Sequence, residues 1–154
     1  MYDKSTVIKA ILSDLNDITT VVLSGQNGEK PEAPYAELNI ISEAISNEFY
    51  EEEYIDEMDS FKKTHKNNVS LTLSITHYSK DNLDNGVNEL ADYFKIDVQD
   101  LESSLDFSVI SEPIITNRNN ILNVEFINIK GFDVTLNLDD VVQRVVPNIE
   151  TVEL

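Results

Sequence analysis

At 154 residues, 41% of them apolar, with 29 acids against 11 bases and a formal net charge of −18, the chain is sized for one domain with its own core and is too apolar to stay disordered. Its acidity repels phosphates, which argues against sequence-specific DNA or RNA binding and against an anionic membrane surface. The lack of cysteine removes disulfides, thiol catalysis and zinc–thiolate sites, no apolar run approaches the roughly 20 residues of a membrane helix, and Met1-Tyr2-Asp3-Lys4 has neither the basic nor the apolar part of a signal peptide.

In chain order, residues 4–15 place Val7, Ile8, Ile11, Leu12 and Leu15 on one helical stripe, with Asp3 as N-cap. Residues 18–23 read as a strand or an extended connection, and residues 25–34, with two glycines and two prolines, as a surface loop. Ala36, Leu38 and Ile40 then share one face of a strand over 35–41. Residues 42–68 show no steady period. Seven carboxylates crowd residues 48–59, interleaved with Phe49, Tyr50, Tyr54, Ile55 and Met58, and Lys62, Lys63, His65 and Lys66 come next. This region, about 43–67, is expected to be an acidic excursion from the sheet, a protruding loop or hairpin.

Residues 69–78 form the clearest strand, with Val69, Leu71, Leu73, Ile75 and His77 alternating against a Ser/Thr-rich face. A helix over 82–94 is predicted next, capped by Asp81 with Asp84 in its first turn, presenting Leu83, Val87, Leu90, Ala91 and Phe94 to the sheet. After it come a helical turn at 98–105, extended segments at 107–110 and 114–116, and a turn at 117–120. Leu122, Val124 and Phe126 alternate, with a phase shift at Phe126-Ile127, and Gly131 permits a bend before a strand containing Val134, Leu136 and Leu138. The tail, 141–154, is Val-rich and broken by Pro147, hence extended. Together these elements predict an α+β fold, a mainly antiparallel sheet with two helices packed on one face, as a single domain over 1–154.

No catalytic set emerges. His77 reads as a structural histidine on the apolar side of its strand, since no His/Asp/Glu cluster falls at ligand spacing, and His65, in a basic, polar stretch, as solvated. The run from Asp81 to Gly86 resembles a calcium loop only until its third position, which is Leu83, and a helix cap accounts for the same residues. Phosphate-binding glycine loops and nucleophile elbows are absent. The reading is therefore a binding protein, not an enzyme, with no cofactor or metal. Its candidate partner interface is the acidic–aromatic stretch, through Phe49, Tyr50, Tyr54 and Phe61, because aromatics favour interface centres and charge steers partners.

Three segments carry a family resemblance: Pro34-Tyr35-Ala36-Glu37-Leu38-Asn39-Ile40; the run from Val69 to Tyr78 leading into the next helix; and Ile149-Glu150-Thr151-Val152-Glu153-Leu154. In this order and spacing they resemble the tail terminator (neck) proteins of tailed bacteriophages and related phage-tail-like particles, over most of the chain from about residue 34. One departure is that relatives often carry an arginine just before the strand over 132–138, where this chain has Lys130-Gly131. An inter-subunit contact made by that arginine would be missing here or supplied by Lys130.

The resemblance implies a structural virion protein of the tail or neck, made in the bacterial host cytoplasm. It implies a homo-oligomeric ring, commonly a hexamer, that caps the tail tube, stops its polymerisation and meets the head–tail connector while DNA passes through without specific binding. No membrane is involved. A head–tail adaptor or stopper would give a similar small chain, and an acidic DNA-mimic inhibitor would explain the acid count. The composition suits a ring through which DNA slides, since a lumen of like charge offers a polyanion no sticky site.

Overall fold

The computed structural model describes residues 4–25, 28–119 and 128–148. Helix α1 (Lys4–Asn16) buries Val7, Ile8, Ile11 and Leu15. Its end is tied to strand β1 (Val21–Leu23) by Asn16, whose amide donates to Leu12 O and Val21 O and whose Oδ1 accepts from Val21 N. The expected Asp3 cap lies outside the described residues.

Three long strands dominate the sheet. Strand β2 (Tyr35–Ile55) and strand β3 (Ser60–Ser79) form one antiparallel hairpin. The third, β6 (Asn128–Pro147), pairs with β3 along its whole length without a register shift. At about 3.3 Å per residue, strands of 20 and 21 residues reach roughly 65 Å, far more than a small core can cover. The short strands β4 (Phe107–Val109) and β5 (Thr116–Asn117) pair with β6, and β1 runs parallel to β2. The sheet of six described strands is thus mixed but mostly antiparallel, in the order β1-β2-β3-β6-β4 with β5 also on β6.

Its helix-covered face repeats the alternation seen in the sequence. Val69, Leu71, Leu73 and Ile75 stand opposite Leu138, Leu136, Val134 and Phe132, and all eight are buried. Over them lie α1, α2 (Gly86–Asp92) continuing into a π turn (Tyr93–Asp97), and α3 (Gln99–Leu105), so three helices rather than two contribute to the core. Tyr93 clamps two of these segments together, its hydroxyl donating to Asp14 Oδ2 at 2.7 Å. Burial and that carboxylate hold its phenol well above the usual tyrosine range.

Several local expectations are corrected. Helix α2 begins at Gly86, so Asp81 does not cap it. Asp81 instead accepts from Leu83 N in a tight turn, while Asp84, two residues ahead of the helix, accepts from Gly86 N and from the Ser79 hydroxyl. Leu83, expected in the core, is 82% exposed because it belongs to that turn. Gly131 makes no bend: it sits within β6 opposite Thr76, where it leaves room for the Arg118 side chain. Residues 141–147 are strand, as an extended tail requires. The alternation of Leu122, Val124 and Phe126 and the segment 149–154 lie outside the described residues.

Candidate assembly interface

The region about 43–67 is the sheet itself, continued as a hairpin. Beyond Val69 and Leu138 the helices end, yet β2, β3 and β6 run on together for about nine residues, a blade of roughly 30 Å by strand rise. Two irregularities in β2, between Ile40 and Ser42 and between Ser46 and Phe49, each insert one extra residue against β3. Each reverses the face that alternate residues occupy. The helix-side set is therefore Ala36, Leu38 and Ile40, then Glu43 and Ile45, then Tyr50, Glu52 and Tyr54.

On that side the outer blade has a simple row structure. Tyr50, His65 and Val142 stand abreast, then Glu52, Lys63 and Arg144, then Tyr54, Phe61 and Val146. The Tyr54 and Phe61 rings meet at 5.3 Å between centroids. Tyr50, Tyr54 and Val142 remain 59%, 46% and 39% exposed on this face, and Val145, opposite Lys62 on the other face, 52%. Of the four residues expected at an interface, Tyr50, Tyr54 and Phe61 thus share one face. Phe49 pairs with Lys66 on the backbone, and its side chain lies outside the described residues. Val142, Arg144 and Val146 join them from the far end of the chain, a contribution visible in the sequence only as a Val-rich tail.

Some of the blade's acids are answered within the chain. Glu52 pairs with Lys63 at 3.4 Å and Asp139 with Lys66 at 3.1 Å, and Glu53 stands opposite Lys62. Glu52 also accepts from the Tyr50 hydroxyl at 2.9 Å. That bond and Lys63 hold its carboxyl below its ordinary value, while the carboxylate holds the Tyr50 phenol above its own. The tip turns through the helical residues Asp56–Met58 and Asp59, whose φ of 44° is left-handed. Asp59 Oδ1 accepts from the Tyr54 hydroxyl at 2.7 Å and from the Asn148 amide at 3.3 Å. The Tyr54 bond first, then Asn148, hold the Asp59 carboxyl low, and the same carboxylate holds the Tyr54 phenol high.

The opposite face of the core sheet is hydroxyl-rich, with Thr72 and Thr135 in hydrogen-bond contact at 3.1 Å. Arg118 lies across it. Its Nη1 donates to Ser74 Oγ and Thr76 Oγ1, both at 2.8 Å, and Nη2 pairs with Asp133 at 3.0 Å. Arg118, which directly follows β5, fills the space beside Gly131, while Lys130 stands opposite His77.

The histidines are not brought together. His77 is 1% exposed, its Nε2 lacks a hydrogen-bond partner among the described residues, and Asp84 lies 3.9 Å away. Burial holds its imidazole below its ordinary value, with Asp84 pulling the other way. His65 lies in the blade opposite Tyr50. Among the described residues no group of acids and histidines is placed to hold a metal ion, and no helix is long and apolar enough to cross a membrane. Two open hollows of about 340 and 490 Å³, beside Glu29 and beside Glu102, contain no histidine.

The described residues thus form a helix-covered core with a long sheet extension beyond it. No curated protein matches the chain. A family model described as phage neck terminator protein matches residues 5–154, nearly the whole length. The chain therefore belongs to the phage neck terminator protein family, structural components of the virion neck that associate with other tail and head parts.

Proposed function

We propose that this protein forms a closed homo-oligomeric ring, a hexamer by resemblance, that caps the head-proximal end of the tail tube, ends its polymerisation and presents a surface to the head–tail connector. The observation that carries this reading is the blade. It extends about nine residues past the last helix-covered row and leaves Tyr50, Tyr54, Val142 and Val145 in solvent. Strands exposed on both faces and rimmed with aromatics have no use in an isolated monomer and are a hazard to it. In an assembly they supply apolar contact area at small entropic cost, because the Tyr54 ring is already held by Phe61 and Asp59.

The lysines of β3 argue against a DNA mimic. A mimic needs unpaired carboxylates spaced like phosphates, whereas Glu52 and Asp139 are paired and Glu53 faces Lys62. In the ring, remaining carboxylates line part of the opening and DNA slides past without binding.

The test is assembly of a Tyr50→Ala, Tyr54→Ala double variant. Its core elements are untouched, so its circular dichroism should match the parent, while its yield of capped tubes of defined length falls at least tenfold. Unchanged capping would remove this face from the interface.

A further inference from the structure

We infer that neighbouring copies join edge to edge, the β2 edge at residues 49–55 of one copy pairing in parallel with the β6 edge at residues 141–147 of the next. This rests on the ring reading and specifies its seam. Within the core both outer edges are covered: β1 pairs β2 at 36–38, β4 pairs β6 at 136–138 and β5 pairs β6 at 130–131. Past those points, among the described residues, β2 and β6 have β3 as their sole strand partner, so each carries an open ladder of backbone donors and acceptors.

The β6 edge carries little of the usual protection, its one charge being Arg144. Residues 141–146 read Val-Val-Gln-Arg-Val-Val, without a bulge, lysine or internal proline, and Pro147 only ends the strand. Such an edge is a template for another strand. The β2 edge is defended against its own kind: Glu51, Glu52 and Glu53 would face three identical carboxylates in a symmetric pair. The partner it accepts is one that offers a cation.

The rows supply that match. In the row Glu52–Lys63–Arg144 the acid lies on one open edge and Arg144, beside another cation, on the other. Arg144 has no ion pair among the described residues, and a level head-to-tail join sets the next copy's Glu52 beside it. The rows on either side bring Tyr50 to Val142 and Tyr54 to Val146, which covers apolar groups now exposed. Direction comes from topology. β2 and β6 are each antiparallel to β3, hence parallel to one another, and a cyclic repeat of the blade preserves that sense. The join is heterologous, so every edge is used once the rotation between copies closes a ring.

The chain's lack of cysteine makes this directly testable. Within one copy Glu52 and Arg144 are separated by β3, two strand spacings or about 9.6 Å, beyond the ~7 Å reach of a disulfide. A Glu52→Cys, Arg144→Cys variant assembled on tail tubes and mildly oxidised should therefore give a covalent ladder ending at the ring, and neither single variant should cross-link. Charge reversal supplies a second reading: Glu52→Arg and Arg144→Glu should each reduce ring yield, and together restore it. Rings that form without cross-links, or a double reversal that restores nothing, would overturn the seam and leave the ring standing. Dimers from either single variant would show symmetric pairing and also overturn it. Absence of any assembly of the parent chain, on or off tubes, would overturn both.

Discussion

Arg118 occupies the space that a side chain at Gly131 would fill. A Cβ at that position would lie 2.7 Å from Arg118 Nη1 and 2.8 Å from Cζ, and would also collide with Ile75 O. The glycine lets a guanidinium lie flat on the sheet and gather Ser74, Thr76 and Asp133 around it.

Gly131→Ala should accordingly displace Arg118 and strain β6, at a cost of about 1–3 kcal/mol. Arg118→Ala in the same chain should relieve the share due to the guanidinium, so the two changes should cost less together than their sum. Urea unfolding of the four proteins measures the coupling, and additive losses would contradict the contact.

His77 should make stability fall with acidification. Burial places its folded pKa below the unfolded value of 6.5. As pH drops, the unfolded chain takes up the proton first. The contribution is full above 6.5 and lost as pH falls toward the folded value. Because acid also relieves the chain's net negative charge, the comparison is with His77→Gln: the difference in unfolding free energy between the two should shrink from about pH 7.5 to about pH 5.5. A constant difference would refute the buried neutral imidazole.

The blade tip should respond to the Tyr54 hydroxyl alone. Asp59 has its folded pKa lowered, chiefly by that bond, so its contribution is present above the ordinary carboxylate value and lost as pH falls through the folded one. Tyr54→Phe keeps the ring on Phe61 but removes the donor. The Asp59 pKa should rise toward the ordinary value in a carboxyl NMR titration, and an unmoved Asp59 would show that the bond is not populated.

The fold is legible in the sequence where alternation survives. Val69 to Ile75 has a strict period of two and α1 a clean helical stripe, so the core is readable. The blade is not, because each irregularity in β2 inserts one residue and reverses the parity of everything beyond it. Ile40, Ile45 and Tyr50 lie on one face yet stand five residues apart, an odd spacing that breaks the strand period of two. Leu83 misleads for a related reason: it continues the helical spacing of Val87, Leu90 and Phe94, but the Asp81 and Asp84 turn delays the helix to Gly86. Tyr50, Tyr54 and Phe61 are identifiable as aromatics too polar in surroundings to be core. Their partners from 142–146 are not, since only long-range pairing places the tail beside them.

The central claim is that copies of this chain close a ring on the tube end. Each subunit added to a ring brings a formal charge of −18, so repulsion should oppose the free ring at low salt, and added salt or a tube template should favour closure. Light scattering across a salt series, with and without tail tubes and beside a duplex DNA-binding assay, measures this most directly. The account predicts a single closed species that grows with salt, tubes capped even at low salt, and no DNA binding under any condition. A protein that stays monomeric throughout and never caps a tube would contradict it.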